Sequence, residues 1–246
     1  MTVTTDERGT VSFCHRCGYT TVQNQERPRI EPARVSSDKS VDWSDRAESI
    51  WRRTQPLRGT VGQTYLEHRG CMLPPEDSHL RFLPASGSYA PSLCAAVTDA
   101  RTGKRITLHF TRLAPDGRGK AGTERDKLLL AGHRKKGGVI RLWPDDSVTY
   151  ALAIAEGIET ALAAARIYSP VWATVDAGNM STFPVLPGIS GLAIYADHDD
   201  AGISAAQTCG RRWEAAHREV CIYRPRVPGE DIADVLARVD RRRDVA

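Results

Sequence analysis

After Thr149 the chain settles into an alternation that few architectures satisfy. YALAIAE is a continuous apolar run, IETALAAARIY sets Ile158, Ala161, Leu162 and Ala165 on one helical face, and VWATVDAG is apolar again. GLAIYAD, AGISAAQTCGRRWEAAH, EVCIYRP and DIADVLARV then repeat strand, helix, strand and helix. Strands buried on both faces read as unbroken apolar runs, and the helices between them return the chain across the sheet. The expectation is an α/β fold with a mainly parallel sheet, helices on both faces and right-handed crossovers.

In such a sheet, functional groups gather beyond the carboxyl ends of the strands, where the next helices begin. Glu156 stands directly after YALAIA, and Asp197 and Asp199 follow GLAIYA. Asp197 and Asp199 are one residue apart, so an extended segment places both side chains on one face. If the two strands are neighbours, the three acids meet at one rim. Like charges repel there unless a divalent cation relieves them, and Mg²⁺ takes one or two protein carboxylates with waters and phosphate oxygens. Gly157 and Gly202 are expected to let the backbone turn sharply beside the acids. The matching chemistry is phosphoryl or nucleotidyl transfer, with Glu156 as ligand or general acid/base. Taken singly, each acid reads more simply as a helix cap or a partner of a helix dipole. Three of them at two equivalent strand ends favour a shared site.

Upstream, residues 1–40 are polar and broken by prolines, with too few apolar residues for a core. They read as a flexible segment in which order would need a metal. Residues 41–147 read as a smaller α+β subdomain, and residues 148–246 as the α/β domain. Trp43, Ala47, Ile50 and Trp51 line one helical face, and TVGQTYLEHRG opens with a capping box of Thr60 and Gln63. SLCAAVTDA and RITLHFTRL flank the polar turn RTGK as a hairpin. A cationic stretch then precedes the acids: Arg112, Arg118, Lys120, Arg125 and Lys127, followed by Arg134, Lys135, Lys136 and Arg141. It suits phosphate contacts. Interleaved as it is with Asp116, Glu124 and Asp126, it equally suits a solvated face. His109 reads as an ordinary strand histidine.

No stretch approaches the roughly 18 apolar residues that span a bilayer, and the N-terminus lacks the apolar run of a signal peptide. A cytoplasmic protein with no membrane partner and reduced cysteines is expected. Cys94, Cys209 and Cys221 lie in apolar patterns that suit small core thiols. Only Cys14 and Cys17, in CHRC, have ligand spacing. The net charge of +4 is compatible with a polyanionic partner.

AEGIETALAAA, IYADHDDAGISAA and PRVPGEDIADVL together resemble the Toprim domain shared by topoisomerases, bacterial-type primases and certain nucleases. The variant is that of primases from phages, plasmids and integrated mobile elements. The family's Glu-Gly and Asp-x-Asp match Glu156 with Gly157 and Asp197 with Asp199. Its Gly-x-Asp-x-x-Asp is similar to GEDIADVL, which points to Asp231 and Asp234 as further metal ligands, although both also suit a capped helix. The segment from SIWRRTQPLRG through LHFTRLAPDGRGKA to GGVIRL resembles the region that precedes Toprim in those primases. The likeness therefore runs from about Trp43 to the C-terminus.

The resemblance implies a DNA primase-like nucleotidyltransferase that makes short primers from nucleoside triphosphates on single-stranded DNA with Mg²⁺ or Mn²⁺. It makes Glu156, Asp197 and Asp199 catalytic and metal-binding. It directs Arg112, Lys120, Lys127, Arg134, Lys135, Lys136 and Arg141 toward nucleic acid or nucleotide. A metal-dependent Toprim nuclease would use the same acids, and a non-catalytic DNA- or replisome-binding relic would need none of them. FCHRCGYT is similar to the closing half of the zinc ribbon that begins such primases. A structural zinc takes four ligands, so Cys14 and Cys17 alone are not expected to hold Zn²⁺ in this chain. No GxxxxGK[ST] loop is present, so unwinding would fall to a helicase supplied in trans.

Overall fold

The computed structural model describes residues 2–6, 9–13, 20–24 and 41–243. The chain forms two compact units, Met1–Lys39 and Ser40–Ala246. In the first, β1 (Thr2–Asp6), β2 (Gly9–Phe13) and β3 (Thr20–Asn24) form an antiparallel sheet in that order. Its registers close at Asp6 opposite Gly9 and Phe13 opposite Thr20. These strands were not apparent from the sequence because each carries a single valine among threonines and other, mostly polar residues, too little for an apolar face. Cys14 and Cys17, and with them the half ribbon, lie outside the described residues.

The second unit begins with α1 (Asp45–Arg52) and α2 (Val61–His68). The box at the start of α2 is shifted by one residue on each side. Thr60 accepts from the backbone N–H of Gly62, and Gln63 Oε1 accepts from Gly59 at 2.8 Å. Five strands follow: β4 (Leu80–Leu83), β5 (Ser92–Asp99), β6 (Arg105–Arg112), β7 (Lys127–Leu129) and β8 (Gly138–Arg141). Then come β9 (Ala151–Ala155), α3 (Ile158–Ala164), β10 (Val171–Ala173) and α4 (Ala177–Ser181). The chain continues through β11 (Gly191–Tyr195), α5 (Asp200–Ala215), β12 (Glu219–Tyr223) and α6 (Ile232–Arg243).

All nine strands of this unit share one sheet, ordered β12-β11-β9-β10-β8-β5-β6-β7, with β4 also on β5. β12, β11, β9 and β10 are parallel, and the pairing becomes antiparallel from β10 to β8 onward. The α/β region and the α+β region upstream thus join through the β10–β8 pair. β4 and β8 lie end to end along one edge of β5, against Ser92–Ala95 and Val97–Asp99 respectively. His79 fills the gap, donating its N–H to Arg141 and accepting from Ala96, both at 2.9 Å.

One face of the sheet packs against α2 and α3 through Tyr65, Leu66, Leu93, Ala95, Ile106, Ala153, Ala161 and Leu162. On the other face, α1 covers Cys94, Ala96, Leu108 and Leu130. Beside it, Met180 of α4 and Ala205, Cys209 and Trp213 of α5 cover Leu152, Ile154, Leu192 and Ile194. Every residue of α3 is buried, which is the behaviour of a helix apolar on all sides. Cys94 and Cys209 are core thiols, whereas Cys221 is exposed on the edge strand β12. Among the described residues no helix is long and apolar enough to cross a membrane.

Candidate metal centre

Strand order builds the rim. β9 lies between β11 and β10, with Ala155 opposite both Tyr195 and Ala173. Glu156 therefore leaves the sheet at the level where β11 runs on to Asp197 and β10 to Asp176. Asp199 caps α5, accepting from Gly202 N–H at 2.7 Å. Asp176 caps α4 in the same way, accepting from Asn179 at 2.8 Å. Directly before it, the β-branched Val175 is held at φ 74°, a conformation that strains any residue but glycine.

A fourth element joins through the backbone. His198 N–H donates to Glu230 at 3.1 Å and Gly229 N–H donates to the His198 carbonyl at 2.8 Å. This brings the start of α6 against the rim. Asp231 and Asp234 cap α6 reciprocally, each accepting the other's backbone N–H, at 2.9 and 3.1 Å. Asp197, Asp199, Asp231 and Asp234 together line a cavity of about 160 Å³.

Glu156 and Asp197 are half-buried and Asp199 is exposed. Burial, then the charges of Glu156, Asp231 and Asp199, push the Asp197 carboxyl up to about 6. Burial, then Asp199 and Asp176, raise Glu156 as well. Asp197 Oδ1 is buried without a hydrogen-bond partner. A buried carboxylate oxygen left bare among other carboxylates fits a cation-binding position. Among the described residues no group of three or more His, Cys, Asp or Glu side chains is gathered tightly enough to hold a metal alone.

The glycines differ from expectation. Neither Gly157 nor Gly202 has a positive φ, and a side chain at Gly157 would meet only ordinary contacts. Gly202 is needed for close approach instead: a Cβ there would lie 2.8 Å from the Asp197 carbonyl and 3.2 Å from Asp199 Oδ1. Gly202→Ala is expected to displace Asp197, destabilising the fold by about 1–3 kcal/mol. Melting curves of the variant and the wild type, recorded side by side, would check this.

The cations expected from the sequence separate into distinct groups. Lys120 and Lys127 reach Glu159 of α3, at 3.7 and 3.1 Å, and Tyr65 donates its hydroxyl to the same carboxylate at 2.9 Å. Burial alone would raise the Glu159 carboxyl, but Lys127 and Lys120 outweigh it and hold it at about 2. Lys127 also opposes the rise at Glu156 and Asp197, so its charge is felt at both. His109, on the same face of β6, is held neutral by burial and by Lys127, its ring pulled down to about 4. Lys135 reaches the rim through Asp176 at 2.9 Å.

The other four cations are elsewhere. Arg134 is taken up by Asp42 at 2.8 and 3.0 Å and by Asp99 at 3.2 Å. Arg141 is a correction: it is buried, not presented to nucleic acid. Its guanidinium bonds Thr98, the carbonyls of Asp99 and Ala100, and Asp145, and it lies 4.4 Å over the Trp172 ring. Those contacts clasp the β10–β8 seam. Lys136 is exposed, and Arg112 points to the face of α1, away from Lys127.

Sequence reasoning missed Glu159 and Asp176. Glu159 is the sole acid inside IETALAA, and a charge within a helix buried on all sides requires a partner. Asp176 closes VWATVD at a third strand end, the same position that singled out Glu156 and Asp197.

The Toprim domain matches residues 151–241, and a domain of unknown function (DUF7146) matches residues 42–142. No curated protein matches the chain. Among solved structures, the DnaG catalytic core is 16% identical with a TM-score of 0.48, covering 75% of this chain and 71% of that one. The primase fragment of the bacteriophage T7 primase-helicase protein is 13% identical with a TM-score of 0.48, covering 95% and 87%. A DNA primase domain from Pseudomonas aeruginosa is 13% identical with a TM-score of 0.42, and this chain spans 57% of its length. Glu156, Asp176, Asp197, Asp199, Asp231 and Asp234 all fall within residues 151–241, and over those residues the chain is a Toprim domain.

Proposed function

We propose that the chain is a primase-type nucleotidyltransferase that extends short primers on single-stranded DNA, using Mg²⁺ or Mn²⁺ at the carboxylate rim. The observation that carries this reading is the buried, unpartnered Asp197 Oδ1 among the other rim acids of the Toprim domain. Asp197 and Asp199 would hold the cation, with Glu156 beside them and Asp231 within electrostatic reach. When bound, the cation supplies charge neutralisation at the reacting phosphate.

The chain's own residues supply the rest. Glu156, raised by burial and its acidic neighbours, is suited to hold or release a proton at the rim. Lys127 and Lys120 are kept beside the acids by Glu159 and offer cations to the phosphates of an incoming nucleotide. A replicative helicase would act as a separate partner.

Incubation of the pure protein with labelled nucleoside triphosphates, single-stranded DNA and Mg²⁺ or Mn²⁺ tests the reading. Labelled oligomers that lengthen with time are the expected result. Shortening of the DNA without incorporation would instead assign the rim to phosphodiester hydrolysis, and no change in either would leave a binding protein.

A further inference from the structure

A second cavity, of about 610 Å³, lies between α1 and the β6–β7 hairpin. Strand alternation sets it apart from the rim. His109 and Thr111 share the face of Lys127, whereas Leu108, Phe110 and Arg112 point toward α1. All its lining residues fall between Arg46 and Ala131, upstream of the Toprim domain.

The floor is apolar, formed by Ile50, Phe110, Leu128 and Leu130. Arg46, Arg53 and Arg112 surround it, and no acid lines it. None of the three guanidiniums has a hydrogen bond or ion pair among the described residues, in contrast to Arg134 and Arg141. Three unneutralised cations around one concavity raise its affinity for anions. Guanidinium groups match phosphate oxygens in a bidentate manner. An apolar floor of this size, ringed by a few convergent polar groups, is the usual form of a small-molecule site. Tyr89, 71% exposed, stands at the mouth as a stacking surface.

We propose that this cavity is a second, non-catalytic site for a nucleoside polyphosphate, with the base on the apolar floor and the phosphates on Arg46, Arg53 and Arg112. Charge favours a free nucleotide over a strand. A strand brings one negative charge per nucleotide, whereas a triphosphate concentrates its charge where the three arginines converge.

Calorimetric titration of the full chain with ATP in EDTA isolates this site, because the rim is then deprived of divalent cations. One ATP should bind per chain. Arg112→Ala should weaken it about tenfold, the factor that 1.4 kcal/mol makes, and the Arg46→Ala/Arg53→Ala double variant should weaken it further. Asp197→Asn should leave this affinity unchanged. The double variant lies at exposed positions on α1 and at its C-cap, and it carries the test if Arg112→Ala fails to fold. Absence of ATP binding by the wild type, or equal affinity in the arginine variants, overturns the proposal. So does arginine-dependent binding of an oligothymidylate strand with none of ATP, which would assign the cavity to nucleic acid.

Discussion

Asp197→Asn is expected to lower metal-dependent nucleotidyl transfer roughly 10²- to 10³-fold, the loss typical of removing one preorganised electrostatic contact to a transition state. The same substitution should stabilise the metal-free protein. Asp197 Oδ1 is buried without a partner and faces Glu156, Asp199 and Asp231. Removing one charge from that group relieves about 1–3 kcal/mol of unsatisfied desolvation. In EDTA the variant should therefore melt above the wild type, by roughly 2–4 °C per kcal/mol for a unit of this size. Mg²⁺ should raise the melting temperature of the wild type and leave that of the variant nearly unmoved, since a ligand stabilises only the state that binds it. Opposite effects on stability and activity mark a functional residue rather than a structural one.

Glu159→Gln should act through stability and pH. The Glu159 carboxyl is held at about 2 in the fold against an ordinary value of 4.5, because Lys127 and Lys120 outweigh its burial. A depressed folded value contributes stability above pH 4.5, and that contribution is lost as pH falls from 4.5 toward 2. The difference corresponds to about 3 kcal/mol at neutral pH. Glu159→Gln should thus lower the melting temperature by roughly 6–12 °C at pH 7. The gap should narrow progressively as both proteins are melted at lower pH. Nucleotide affinity should also weaken, because Lys127 and Lys120 lose the carboxylate that holds them beside the rim.

The parts of this fold that were legible in the sequence are those with one-dimensional signatures. Apolar runs marked β9 and β11, helical spacing marked α3 and α5, and the position after each strand marked Glu156 and Asp197. What escaped depended on pairing between distant segments. The antiparallel β10–β8 seam joins regions that composition separates, and nothing local announces it. Arg141 looked like one more member of a basic run, yet it sits within the apolar string GVIRLW and is buried with that strand. Glu159 was hidden because the helical face of Ile158, Ala161, Leu162 and Ala165 suggested an exposed opposite side. In fact α3 is covered all round, and its acid faces Lys127, Lys120 and Tyr65. Arg112 belonged by sequence to the cations beside the acids, and the alternation of β6 turns it to the other face.

The central claim is that the ends of β9 and β11 form one divalent-cation site, and titration of Mn²⁺ followed by electron paramagnetic resonance tests it most directly. The wild-type chain should remove free Mn²⁺ from solution in competition with Mg²⁺. Asp197→Asn/Asp199→Asn, folded by its melting curve, should lose that binding, while Arg112→Ala should keep it. Equal Mn²⁺ binding by the wild type and the double aspartate variant would contradict the account.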